Sequence, residues 1–384
     1  MVIVRKRKEV LEMGKRTNSA VWMDKYNRWQ IKVQKDGIRK TFYSSTKGRK
    51  GQRECHAKAD AWLDDNIINA SVKVATLFDR WIEELKVTTS KSFWRQYEGY
   101  GRNYIKPQIG TIKLENVNEQ HLQEVILFAY QNGNDKKKLS DKTLRNIRAC
   151  LSAFIKYGRK NKATTLFPES LYIPKAAKKS EKKVLQPNDF SLLFSCTKTV
   201  YHQKEIDEWY IHAYRFEVVT GLRPGELIGL KNEDIQDDIC TLHGAINVYN
   251  EHTTGKNKNA LRSFVLPDIA LQILDEQRTM LRNADVSSPY VFPDQNGEHA
   301  KQITYYKRWR NYRNHNKISP VTLYELRHTF ISANKELPLE LIKPIVGHGK
   351  DFDTFGTYGH ILGDEQYRAA ALINNVFARL IQAQ

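Results

Sequence analysis

Thr220-Gly221-Leu222-Arg223-Pro224-Gly225-Glu226-Leu227 is the stretch from which this chain can be read, and Leu323-Tyr324-Glu325-Leu326-Arg327-His328-Thr329-Phe330 is its counterpart further along. In the first, Pro224 suits the opening position of a helix, where a missing N–H is no loss. Arg223 then stands beside free helix N–H groups, a setting that attracts an anion. In the second, Leu323, Leu326 and Phe330 make an apolar helical stripe, while Tyr324 and Arg327, three apart, share another face. Between them, Gly255-Lys256-Asn257-Lys258 followed by Arg262 to Pro267 reads as a hairpin tip returning as a strand. Beyond them come Gly347-His348-Gly349 and Tyr358-Gly359-His360. Gly347 is expected to close a helix over 338–346, leaving His348 just past its C-terminus. Taken singly, each has a plain reading too: a helix start with an exposed arginine, a solvated basic turn, an ordinary buried stripe.

The rest of the chain says what such a set could act on. Of 384 residues 40% are hydrophobic, which supports real cores and two or three domains. No apolar run approaches the ~20 residues of a membrane helix. Met1 to Arg7 is basic without an apolar signal core after it, so secretion and membrane partners are not expected. Cys55, Cys150, Cys196 and Cys240 are far apart and form no C-x-x-C, which suits a reducing cytoplasm. The net charge is +19, and it is localised: residues 1–60 carry 17 basic and 6 acidic side chains, and residues 135–183 carry 15 and 4. Each window nets +11, so the remainder nets −3. A localised basic excess is the footprint of a polyanion binder, because each phosphate contact releases counterions.

Residues 1–18 read as a flexible basic arm. In Arg28-Trp29-Gln30-Ile31-Lys32-Val33-Gln34 every second residue is apolar, a half-buried strand. Asp36-Gly37 reads as a hairpin turn, and Ile38 to Tyr43, with Arg39 and Lys40, as its returning strand. A helix over 52–67 follows, with Ala57, Ala61 and Trp62 as its apolar side. Over 19–70 this makes a small three-stranded sheet plus helix, with Lys32, Arg39 and Lys40 as DNA-contact candidates on an exposed sheet face. A helical unit spans 74–165. Its helix over 140–160 buries Leu144, Ile147, Leu151, Phe154 and Ile155 and carries Lys142, Arg145 and Arg148 beside that stripe, a face that can meet phosphates. Pro168, Pro174 and Pro187 around a lysine-rich run read as a linker over 166–187. A globular, mainly α (α+β) domain then runs over 188–384. Late in it, Leu372, Val376, Phe377 and Leu380 form an apolar stripe that could dock on its own domain or on a neighbour.

Several familiar motifs are absent. Gly255-Lys256 fails as a phosphate loop because Asn250 and Asn257 stand where Gly and Ser or Thr belong. There is no H-E-x-x-H and no G-x-S-x-G, so metal-free chemistry is favoured.

In this order and spacing the four segments resemble those of the tyrosine recombinases, the phage integrase family. The first arginine motif matches at Arg223, the second at Arg327, the G-H at His348, and the Y-x-H at Tyr358 and His360. The resemblance covers the chain from about Leu185 onward, and extends more loosely to the helical unit, a core-binding domain, and to the N-terminal sheet, an arm-binding domain of phage and conjugative-transposon integrases. It implies a site-specific recombinase that needs no cofactor, metal or ATP and works in the cytoplasm at the bacterial nucleoid. Arg223 and Arg327 would clamp the scissile phosphate, with His348 as a further donor. Tyr358 would attack phosphorus to give a 3′-phosphotyrosine, and Lys256 or, alternatively, Lys258 would protonate the leaving 5′-oxygen. Glu226, His360 and Tyr324 are supporting candidates. The family usually has His where Tyr324 stands, and a phenol, with a pKa of about 10, is a poor base near neutrality. The implied partners are double-stranded DNA at core and arm-type sites, three further copies in a tetramer, and a small directionality factor. Two rival readings are a type IB-like topoisomerase and a non-catalytic DNA-binding protein on the same fold.

Overall fold

The computed structural model describes residues 18–35, 38–64, 72–133, 138–179, 181–254, 261–347 and 363–382. The chain divides into two compact units, Met1–Ser180 and Glu181–Gln384. The described residues are mostly helical with small antiparallel sheets.

In the first unit, β1 (Val21–Met23), β2 (Arg28–Lys35) and β3 (Ile38–Ser44) form an antiparallel sheet in that order. Helix α1 (Gly48–Asp64) packs on it. The alternation of β2 decides which face is covered: Ile31 and Val33 are buried, and Lys32 and Gln34 are exposed. The α1 stripe differs from expectation. Cys55 and Ala59 are buried with Trp62 packed beside them, whereas Ala57 and Ala61 are exposed. A small thiol and a distant tryptophan set the helix phase, and alanine is too weakly apolar to do so.

The helical part comprises α2 (Val74–Thr88), α3 (Lys91–Tyr100), α4 (Lys106–Ile109), α5 (Glu119–Gln131) and α6 (Asp141–Lys160). A single π turn, Gly101–Ile105, carries α3 into α4. Asn118 caps α5, accepting from the His121 N–H, and Ser140 caps α6, accepting from that of Thr143. Leu77, Phe78 and Trp81 meet Leu144, Ile147, Leu151 and Phe154 in one core. The segment expected as a linker is tied down over its first part. Leu171 and Ala177 are buried in this same core. The Glu119 carboxylate accepts the N–H groups of Glu169 and Ser170, and Arg148 donates to the Leu171 carbonyl. Apolar residues spaced among the prolines and lysines anchor the strap despite its charge.

In the second unit, α7 (Pro187–Ser195) is followed by a hairpin of β4 (Lys198–Tyr201) and β5 (Lys204–Asp207). Its central element is α8 (Ile211–Thr220), buried on nearly every side. Then come α9 (Pro224–Gly229), β6 (Ile235–Gln236), β7 (Ile239–Leu242), β8 (Ala245–Ile246), β9 (His252–Thr253) and β10 (Arg262–Val265). The strands form one sheet in the order β10-β7-β6 and one β8-β9 pair. Helices α10 (Asp268–Asn283), α11 (Gln302–His315), α12 (Leu323–Ala333), α13 (Leu339–Val346) and α14 (Gly363–Gln382) complete it. Helix α14 docks on its own chain. Its buried stripe is Ala369, Ile373 and Phe377, with Leu380 packed against the core. Of the expected stripe, Leu372 and Val376 are only half-buried. The Phe377 ring lies between those of Phe190 and Phe330. Among the described residues no helix is long and apolar enough to cross a membrane.

Candidate active site

The site is assembled where α8 ends and α9 begins. Gly221 closes α8 in the left-handed region at φ 66°, and its N–H bonds back to the Glu217 carbonyl. A Cβ there would come within 2.4 Å of the Phe330 ring, so both the backbone angle and the packing require glycine. Leu222 is fully buried and fixes the next step of the chain. Arg223 follows in extended conformation as the residue capping α9, with Pro224 in the first turn. Its side chain remains one-third exposed.

Arg327 reaches the same turn from α12. The flanking Leu323, Leu326 and Phe330 are fully buried, which holds Arg327 in register at 1% exposure. Its Nη1 donates to the Gly221 carbonyl at 2.7 Å, and its Nη2 donates to the Val346 carbonyl at the end of α13. Burial and the nearby Arg223 guanidinium lower its pKa to about 10, still far enough above neutrality to keep the charge. Both arginines are thus tied to one turn, Gly221–Arg223.

Glu226, one turn into α9, is the hub. Its carboxylate accepts from the Arg223 N–H at 3.0 Å and from Arg223 Nη1 at 2.6 Å. Arg262, at the start of β10, donates to both of its oxygens, at 3.1 and 2.9 Å. Burial alone would raise the Glu226 pKa; the Arg262 hydrogen bonds and charge, with those of Arg223, more than offset this and hold it below the ordinary value. The carboxylate therefore stays ionised. One further acid lies close in the core: Glu217 on α8 is fully buried, and burial pushes its carboxyl well above the ordinary range. The Tyr305 hydroxyl donates to it at 2.9 Å.

Tyr324 is 45% exposed on α12, its ring set edge-on to His328 at 5.2 Å. Burial and the nearby Lys182 lower the His328 pKa, so this imidazole is neutral at neutral pH. Lys256, Lys258, His348, Tyr358 and His360 lie outside the described residues. Two of the segments they follow are described: β9 runs to Thr253, and α13 ends at Gly347, left-handed at φ 61°.

The proposed DNA contacts fall in different settings. Lys32 and Arg39 share the open face of the sheet with Gln30, Gln34 and Tyr43. There Arg28 stacks on Tyr43 at 3.9 Å. Lys40 pairs with Val33 in register, on the face where α1 packs, and is itself exposed, its ammonium 5.8 Å from the Trp62 ring. Lys142 is exposed on α6, Arg145 is paired with Asp141, and Arg148 is taken up in holding residue 171.

Sequence reasoning assigned no role to Arg262 or Glu217. The signal for Arg262 was its register, two before the buried Phe264, which turns a charged residue inward. That for Glu217 was an acid set among Phe216, Val218 and Val219.

Residues 183–364 match the model of the phage integrase family, and residues 73–128 match that of its N-terminal SAM-like domain. Residues 183–364 thus carry a phage integrase family domain. The chain is 24% identical over 410 residues to a protein of Caldanaerobacter subterraneus subsp. tengcongensis described as "Tyrosine recombinase XerC-like", covering 95% of this chain and 100% of the relative. It is 24% identical over 181 residues to the ICEBs1 integrase of Bacillus subtilis, 42% of this chain and 48% of that one. Its fold is similar to the Tn1549 transposon integrase solved with transposon right end DNA, at a TM-score of 0.60, 19% identity and coverage of 77% and 98%. The lambda integrase tetramer bound to a Holliday junction matches at a TM-score of 0.57, 15% identity and coverage of 88% and 97%.

Proposed function

We propose that this chain is a site-specific DNA recombinase of a mobile element, cutting and rejoining strands through a covalent 3′-phosphotyrosine. The observation that carries this reading is the convergence of Arg223 and Arg327 on one glycine turn, with Glu226 ionised behind them. Two forked cations held in advance are what a phosphodiester gathering negative charge on its equatorial oxygens needs. In the proposed reaction Tyr358 loses its phenolic proton to solvent water and its oxygen bonds to phosphorus. The bond to the 5′-oxygen breaks, and that oxygen takes a proton from Lys256 or Lys258. His348 adds a donor to the phosphate, with His360 in support. Tyr324, exposed on the Arg327 face, offers a hydroxyl where the family usually has an imidazole. The phosphotyrosine bond keeps the energy of the diester, so an incoming 5′-hydroxyl reverses the step without ATP.

The relatives' DNA complexes, and the lambda tetramer, support DNA as substrate and assembly of several copies on it. Four copies on two duplexes would exchange one strand pair at a time, the sheet unit holding arm-type sites and the helical unit core sites, with linked contacts raising effective concentration. A small directionality factor is a further partner of this reading. The test is to trap the intermediate: incubate the protein in EDTA with nicked DNA from the ends of its own element. A denaturation-resistant adduct mapping to Tyr358, and lost in Tyr358→Phe, is expected. Sequence-specific binding with no adduct would sink the reading and favour a non-catalytic DNA-binding role.

A further inference from the structure

Arg262 is more deeply buried than a strand-end arginine needs to be, its side chain only 7% exposed. Three of its hydrogen bonds are directed at described neighbours. Two go to the Glu226 carboxylate, and its Nε donates to the Ile345 carbonyl at 2.6 Å. Arg327 holds the next carbonyl, that of Val346. Two arginines thus grip successive carbonyls at the end of α13, one residue before Gly347, and one of them also grips the carboxylate behind Arg223.

This arrangement answers an electrostatic problem. Glu226 orients Arg223, but a buried carboxylate at 2.6 Å also cancels much of the charge Arg223 could offer a phosphate. A second guanidinium on the far side of the same carboxylate removes that conflict. The cluster then holds three arginines against one acid, and the acid is shared.

We propose that Arg262 is a positioning residue of the strand-cleavage reaction, neutralising Glu226 so that Arg223 keeps its orientation and delivers its charge to the scissile phosphate, while fixing the end of α13 beside Arg327. It acts through Glu226 and Ile345 and does not touch the DNA. This rests on the recombinase reading above.

The experiment compares wild type, Arg262→Gln and Arg262→Lys at saturating DNA, in single-turnover adduct formation on two substrates. One carries the natural scissile phosphodiester, the other a methylphosphonate whose non-bridging charge has been removed. On the diester, Arg262→Gln is expected to slow adduct formation roughly 10–100-fold, the range for removing an outer partner of a reacting group, with DNA binding unchanged. On the neutral methylphosphonate the loss should shrink to a few-fold, because the missing quantity is charge offered to the phosphate. Arg262→Lys, which keeps the cation but not the fork, should fall between on the diester, and it is read by the same substrate pair if the glutamine variant does not fold. Equal losses on both substrates would mean Arg262 serves only the fold, and no loss on the diester would mean it serves neither; either result overturns the proposal. Failure of the wild type to form any adduct on DNA that it binds specifically would instead bring down the recombinase reading, and this proposal with it.

Discussion

The same side chain, arginine, is used in opposite ways in the two units of this chain. On the open sheet face, Arg39 and Lys32 stand in solvent, and the Arg39 guanidinium donates to its cross-strand neighbour Gln34. In the second unit Arg327 and Arg262 are buried, and their donors are directed at named carbonyls and a carboxylate. Exposed cations are free to adapt to a phosphate backbone and gain through counterion release. Buried ones have already given up water and are fixed before substrate arrives, which is the requirement for stabilising a transition state. Position in the fold, more than residue type, separates affinity from chemistry.

The largest effect that separates the two regions should come from Arg327→Lys. It keeps a charge but cannot span the Gly221 and Val346 carbonyls together. Adduct formation should fall roughly 10²–10³-fold at saturating DNA, the range seen when one preorganised donor is lost. A gel-shift titration should show DNA affinity nearly intact. A matching loss of affinity would break the comparison.

A smaller effect tests how the buried cluster is balanced. Glu217 has a folded-state pKa above its ordinary value of 4.5, so the folded chain holds that proton more tightly than the unfolded chain. Stability from this group is therefore lost as pH rises above about 4.5 towards the folded value. Glu217→Gln removes that dependence and keeps a partner for Tyr305. The Tm of the variant minus that of wild type should grow with pH above 4.5. A difference that is flat with pH would show that Glu217 is not held protonated.

The smallest effects belong to the sheet. Lys32→Ala or Arg39→Ala should each reduce the slope of log affinity against log salt on arm-type DNA by about 1. Single-turnover cleavage at a core site should be unchanged. A cleavage defect in either variant would erase the distinction drawn here.

Much of this division was legible in the residues. Pro224 and Gly347 announce where α9 begins and α13 ends, and the alternation around Lys32 assigns a wet and a dry face. What stayed hidden depends on pairing across the chain. Lys40 is exposed like Arg39, but only register shows that it stands opposite Val33, on the other face of the sheet from Lys32. The strap over 166–177 reads as free because its two prolines and the lysine-rich run that begins at Lys175 mask two well-spaced apolar anchors, Leu171 and Ala177. The β4–β5 hairpin turns on His202 and Gln203, both at positive φ, without the Asn-Gly or Gly that usually announces such a turn. Arg262 and Glu226 come together across 36 positions of sequence, a separation no local pattern reports.

The contact between Gly221 and Phe330 has an evolutionary reading. The Phe330 ring fills the space a side chain at 221 would need, and its other neighbour is the near-parallel Phe377 ring of the C-terminal helix. Even a lineage that bore the left-handed strain of a side chain at 221 would have to shrink 330 to fit it, and that would strand 377. Three positions spread over most of the second unit are thereby bound to a common inheritance, and drift at one is answerable to the other two.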